Sequence, residues 1–432
     1  MNFYNLKHKE EQLNFKEATI KGQGKDKGLF FPEDISKFSP EFLKNLPNLS
    51  DEEIAYQVMK DFAGDEIPEA ELRKIVAETI AFDIPLKKVT ENISVLELFH
   101  GPTLAFKDVG ARFMSRCLGY FLKNETRKVT VLVATSGDTG GAVANGFYDV
   151  EGIEVVILYP KNRVSPVQEK QLTALGKNIH ALEVNGSFDD CQALVKQAFS
   201  DESLNEKLLL TSANSINVAR WLPQQIYYVL ALKQWLKIHS ENPVICVPSG
   251  NFGNICAGIL AHHRGLPVEH FIAACNVNDV VPEYLRTEIL KPKETVATIS
   301  NAMDVGDPSN FVRILELFDK EFNQVKNKLS GYTIDDGETL KTIERVEKDY
   351  GYVLDPHGAV AFVALEKYLA ENGGKGFFLE TAHPVKFPDS VEKATGKSVE
   401  IPKSLEELMR QEKFTTEINP QYEELKGFLL GK

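Results

Sequence analysis

Residues 129–147 read VTVLVATSGDTGGAVANGF, and this stretch decides the fold class. Val129 to Ala134 is an uncharged run of apolar and β-branched residues without polar alternation, the pattern of a strand buried on both faces. It passes directly into the turn Thr135–Ser–Gly–Asp–Thr–Gly–Gly141 and then into the helix pattern AVANGF. The same order recurs at Val244 to Val247 (VICV), Pro248–Ser–Gly–Asn–Phe–Gly–Asn254 and ICAGILAHH. Ile153 to Tyr159 is a further buried run, and His270 to Ala274 and Gly376 to Leu379 are shorter ones. Helical patterns lie between them. Ser187 and Asp190 form a capping-box signature ahead of Cys191, Leu194, Ala198 and Phe199, and Glu338 to Tyr350 is amphipathic and closed by Gly351. Strands alternating with helices predict an α/β protein with a largely parallel sheet and helices on both faces.

The chain has 432 residues, enough for two or three domains at about 150 residues each. Residues 1–95 are polar and charged. Leu43 to Lys60 and Pro68 to Ala81 read there as amphipathic helices, with no strong strand run. KGQGKDKG (Lys21 to Gly28) follows no strand and opens no helix, so it reads as a surface loop rather than a phosphate loop. Lys and Arg total 49 against 62 Asp and Glu, a net charge of −13 that argues against nucleic-acid or anionic-membrane partners. An anionic small molecule would need only a local pocket of donors. The five cysteines (Cys117, Cys191, Cys246, Cys256, Cys275) are odd in number and form no CxxC, as expected of reduced thiols in a cytoplasmic protein. The first twenty residues show no secretory h-region, and the uncharged stretch 242–261 is broken by prolines and glycines, so no membrane span is expected. The histidines show no HExxH and no Cys/His ligand spacing, so no metal site is expected.

Open α/β sheets bind ligands beyond the carboxyl ends of their strands, so the loops after the apolar runs are the candidates. TSGDTGG and PSGNFGN both offer glycines, hydroxyl or amide side chains and a helix N-terminus, which together suit an anion. Neither is a Walker loop or a GxGxxG, and tight strand-to-helix turns use the same residues without a ligand; two in one chain favour a phosphate site. A third segment is His100–Gly–Pro–Thr–Leu–Ala–Phe–Lys–Asp–Val–Gly110. Lys107 follows an apolar stretch and opens a helix, and desolvation and the helix dipole both favour the neutral amine that Schiff-base chemistry requires. The alternative is a surface lysine paired with Asp108. The fourth, Leu379–Glu–Thr–Ala–His–Pro–Val–Lys–Phe387, indicates by itself only a loop.

Taken in order, HGPTLAFKD, TSGDTGG, PSGNFGN and ETAHPVKF resemble the bacterial-type threonine synthase family, as do GLFFPE (28–33), VSPVQEKQ (164–171), SANSINVAR (212–220) and NAMDVGDPSNF (301–311). The resemblance implies two doubly wound α/β domains flanking pyridoxal 5′-phosphate (tryptophan-synthase-β-like, fold type II), with an N-terminal mostly helical extension. The implied divisions are 1–95, 96–210 with the lysine and the SGDTG loop, and 211–432 with PSGNFGN and ETAHP, in a fold whose chain can cross between domains more than once. It makes Lys107 the residue in Schiff-base linkage with the cofactor and Gly250, Asn251, Phe252, Gly253 and Asn254 the cofactor-phosphate loop. Thr381 becomes the hydroxyl facing the pyridine nitrogen, which tunes the ring differently from a carboxylate. Asp138 stands where many members of the wider group have asparagine. Ser136, Gly137 and Thr139 are the expected donors to substrate carboxylate or phosphate, and Arg112, Arg163 and Lys161 are candidate cations. The implied reaction turns O-phospho-L-homoserine and water into L-threonine and phosphate, in a cytoplasmic monomer or homodimer. The competing readings are a phospholyase that yields a ketoacid, a serine or threonine dehydratase, and a non-catalytic metabolite-binding relative.

Overall fold

The computed structural model describes residues 1–123 and 128–431. The chain divides into two compact units, Phe31–Phe106 with Trp221–Glu400 (and Met1), and Asn2–Phe30 with Lys107–Arg220 and Ile401–Lys432.

The first unit is built on a six-stranded sheet in the order Leu329–Thr333, His270–Cys275, Val244–Pro248, Gly376–Glu380, Ile93–Glu97 and Leu86–Lys88. Neighbours are parallel except at the last pair. Val244–Pro248, Gly376–Glu380 and Ile93–Glu97 are buried along their whole length, which is why VICV and GFFL read as continuous apolar runs. Helices Asp336–Tyr350 and Pro356–Asn372 cover one face, packing Ile343, Val346, Val360 and Leu365 with Val95, Cys246 and Phe378. Helices Gln225–Trp235 and Gly253–His263 are apolar nearly all round and buried to match.

The second unit carries a five-stranded, fully parallel sheet in the order Thr415–Ile418, Ile179–Val184, Ile153–Pro160, Val129–Ala134 and Leu209–Thr211. Helix Phe188–Ser200 has the capping box expected of it, with Ser187 and Asp190 each bonding the other's backbone N–H. All five cysteines are buried thiols. No described helix is long and apolar enough to cross a membrane.

Each apolar run singled out above forms a strand, and helix Asp336–Tyr350 ends as expected at Gly351 in a left-handed conformation. The stretch 43–60 differs. Helix Pro40–Asn45 passes through a 3-10 turn at Leu46–Asn48, and a new helix, Asp51–Ala63, starts where the Ser50 hydroxyl accepts the Glu53 N–H. Pro47 lacks the N–H a continuous helix needs. Residues 1–95 also contribute strand Leu86–Lys88 and most of Ile93–Glu97, hidden in sequence because ISVLE is short and ends in a charge. KGQGKDKG closes as a turn, with Gly24 N–H on the Gly28 carbonyl at 2.9 Å. The unit edges lie at 30/31, 106/107, 220/221 and 400/401, away from the divisions 95/96 and 210/211. The reason is pairing across long sequence distances: Ile93–Glu97 pairs with Gly376–Glu380, and Thr415–Ile418 with Ile179–Val184.

Candidate active site

The loop after Val244–Pro248 is held from several sides. Ser249 N–H donates to the Ala274 carbonyl at 2.8 Å, and the Ser249 hydroxyl to the Val247 carbonyl at 2.8 Å. A Cβ on Gly250 would stand 2.6 Å from Met303 Cα and 2.9 Å from the Ala302 carbonyl oxygen, so the backbone passes where only glycine fits. Asn251 Oδ1 accepts both the N–H and the hydroxyl of Ser309 at 2.8 Å, and its carbonyl accepts from Asn310. Phe252 is left-handed (φ +61°) and stacks edge-on against Phe311, turning the chain into helix Gly253–His263. We expect Asn251→Ala, which strands the Ser309 donors, to lower apoprotein stability by about 1–3 kcal/mol in urea unfolding.

Asn254 completes the loop. Its Oδ1 faces the hydroxyls of Tyr227 and Tyr228 at 2.7 and 2.6 Å, while its buried Nδ2 has no hydrogen-bond partner. Burial pushes both phenols far above their usual range, so they stay protonated as donors. A buried amide donor without a partner, the acceptor-free N–H groups of a helix's first turn and a glycine backbone without room for a side chain form a donor set that fits a cofactor phosphate.

Strand Gly376–Glu380 lies beside Val244–Pro248 in parallel, so Thr381 follows it at the same end of the sheet as the Gly250 loop. Thr381 is buried and tied to the segment preceding Lys107. Phe106 N–H donates to the Thr381 carbonyl at 2.9 Å, His383 N–H to the Leu104 carbonyl at 3.1 Å, and Ala105 and Ala382 form an antiparallel bridge. Lys107 comes directly after Phe106 as the first, half-buried residue of helix Lys107–Phe121. His383 is pushed down to about 4, chiefly by burial, and its Nδ1 accepts the Val385 N–H.

In the second unit Thr135 Oγ1 accepts the N–H groups of Gly137 and Gly140 at 3.0 and 2.9 Å, and Gly137 takes φ +142°, which favours glycine. This turn brings Ser136, Gly137 and Thr139 together, with both hydroxyl residues half-buried. Asp138 Oδ1 accepts from Gln168 Nε2 at 2.9 Å. Arg112 is half-buried on Lys107–Phe121, a helix packed against Asp138–Phe147. Lys161 pairs with Glu417 at 2.8 Å, and Arg163 is exposed in the turn after Ile153–Pro160. Sequence reading missed Gln168. Its capping-box partner Ser165 marks the helix start, but the bond to Asp138 has no local signature. The Tyr227–Tyr228–Asn254 contact was missed for the same reason.

The family model described as "Pyridoxal-phosphate dependent enzyme" matches residues 83–377, between matches to "Threonine synthase N terminus" (2–80) and "Threonine synthase, C-terminal" (358–429). The fold is thus that of a pyridoxal-phosphate-dependent enzyme. Over 430 residues, covering 100% of both chains, the sequence is 45% identical to threonine synthase of Haemophilus influenzae. The crystal structure of threonine synthase from Escherichia coli superposes with a TM-score of 0.93 at 44% identity, covering 100% of each chain. The PLP-bound threonine synthase from Brucella melitensis superposes at 0.93 with 35% identity, covering 99% of this chain and 98% of that one. The chain belongs to the threonine synthase family.

Proposed function

We propose that the chain is the cytoplasmic enzyme that converts O-phospho-L-homoserine and water to L-threonine and phosphate, the last step of threonine biosynthesis. The observation that carries this reading is the likeness to threonine synthases over the whole chain, including residues 2–80 and 378–429 outside the general cofactor-binding family match. When bound, pyridoxal phosphate supplies an electron sink for charge developing next to the substrate amine.

The residues divide the remaining work. The N–H groups of Gly250 to Asn254, with the Asn254 amide, hold the cofactor phosphate. The Thr381 hydroxyl would hydrogen-bond the ring nitrogen as a neutral group, where a carboxylate would hold that nitrogen protonated. Lys107 is the covalent anchor. Once freed, its Nζ takes the α-proton, carries protons between neighbouring carbons and returns one at the end, which requires an uncharged amine. Ser136, the Gly137 N–H and Thr139 receive the substrate's carboxylate or phosphate, with Arg112 and Arg163 as the cations for the phosphate. The bond of Lys161 to Glu417 favours Arg163 over Lys161 in that role.

The test is to incubate the PLP-loaded enzyme with O-phospho-L-homoserine and identify the products by NMR. Threonine and phosphate in equal amounts are expected. Phosphate with 2-oxobutyrate would make the chain a phospholyase, and unchanged substrate would overturn the reading.

A further inference from the structure

Glu380, the residue before Thr381, is fully buried. Its Oε1 accepts the Asp355 N–H at 2.7 Å, while its Oε2 is buried without a hydrogen-bond partner. Asp355, also fully buried, caps helix Pro356–Asn372. Its Oδ1 meets the His357 N–H at 2.7 Å and His357 Nδ1 at 2.6 Å, and its Oδ2 is a second buried oxygen without a partner. The Asp355 N–H bond to Glu380 sets the two carboxyl groups beside each other, and the charge of Asp355 acts on Glu380. Gly358, in the helix's first turn, leaves no slack, because a Cβ there would stand 1.5 Å from Glu380 Oε2.

The surrounding groups do not relieve this pair. Glu97 lies opposite Glu380 on the adjacent strand, but its oxygens are engaged by the Tyr352 hydroxyl (3.0 Å), Lys87 (2.8 Å) and His100 (2.6 Å). His357 Nε2 accepts the Ala302 N–H at 3.2 Å, so its ring proton sits on Nδ1 and is given to Asp355. His383 is held neutral by burial, with the charges of His100 and Lys386 acting in the same direction. Two carboxylates side by side in a buried core do not both ionise.

We propose that Glu380 and Asp355 share one proton between Oε2 and Oδ2, and that this acid–carboxylate bond latches the end of strand Gly376–Glu380 to the N-terminus of helix Pro356–Asn372, making both positioning residues for Thr381. The proton satisfies both stranded oxygens at once. Burial first, and then the charge of Asp355, pushes the Glu380 carboxyl well above the usual carboxylate range. An unfolded glutamate ionises near about pH 4.3, so the latch contributes its full stability below that value and loses it as pH rises toward the raised value in the folded chain. The consequence for Thr381 rests on the role proposed for that residue; the shared proton does not.

Infrared difference spectra between wild type and Glu380→Gln, recorded on apoprotein and on PLP-loaded enzyme near neutral pH, should show a protonated-carboxyl C=O band in wild type alone. No such band would overturn the shared proton. The Gln variant has no proton to lose, so its melting temperature relative to wild type should climb as pH rises from about 4.3 toward the raised value of the folded chain. A constant difference would also overturn it. Glu380→Ala should raise the PLP dissociation constant about tenfold, with Glu380→Gln recovering most of that loss. An Ala variant with native circular dichroism and wild-type PLP affinity would overturn the positioning role. If wild type itself failed to bind PLP, the cofactor reading would fall, while the apoprotein infrared band would still decide the proton.

Discussion

Lys107→Ala should lower threonine formation by about three orders of magnitude or more while leaving the fold intact. Proton transfer by a positioned side chain accounts for about 10²–10⁴-fold in rate, and in the proposed mechanism the same amine is also the covalent anchor, so both contributions would be lost together. The fold should survive because Lys107 is half-buried at the first position of its helix, where alanine is well accepted. The lacing that places this position includes the backbone bonds of Leu104 and Phe106 and the Ala105–Ala382 bridge, all of which alanine leaves in place. PLP should still bind through the Gly250–Asn254 loop, but its absorption should remain that of the free aldehyde. A small added amine should restore part of the rate, because it replaces the proton carrier without the tether. A variant that keeps more than about a tenth of the wild-type rate would remove Lys107 from the chemistry, since that deficit is only about 1.4 kcal/mol of barrier.

The sequence made the buried parallel strands legible because burial on both faces leaves an unbroken apolar run, as in VTVLVA and VICV. The glycine-rich turns after those strands were legible because a strand, a tight turn and a helix follow one another within a few residues. Ile93–Glu97 was harder to read. Glu97 is buried yet charged, and its compensation by Lys87, His100 and Tyr352 comes from three other segments. The same limit hid the Glu380–Asp355 pair. Asp355–Pro356 reads as a helix cap with proline at the first position, but nothing local indicates that the next strand end delivers a second carboxyl to it. Local patterns report what one element must bury; they do not report which distant element satisfies a buried polar atom.

Gly250→Ala tests whether backbone geometry, more than any side chain, builds the loop proposed to hold the cofactor phosphate. The added methyl would meet Met303 Cα, the Ala302 carbonyl oxygen and Met303 carbonyl carbon at 2.6, 2.9 and 3.2 Å, all backbone atoms. These atoms have little freedom to yield. Met303 is 3% exposed, its N–H is bonded to Ser300, and the Ala302 N–H is bonded to His357. The displacement therefore falls on the loop, which carries the donors away from the phosphate. Overpacking of this kind costs about 1–3 kcal/mol, and if it is relieved only by moving the loop, PLP affinity should fall by about 10- to 100-fold. Gly427→Ala is the matched control: a Cβ there meets nothing within 4 Å in helix Tyr422–Leu430, and alanine favours a helix, so PLP affinity should not change. PLP titration of both apoproteins reads the difference directly. If Gly250→Ala bound PLP as wild type does, the donors would not depend on the close passage of Gly250 over Met303, and the Asn254 amide with the helix's first-turn N–H groups would suffice to hold the phosphate.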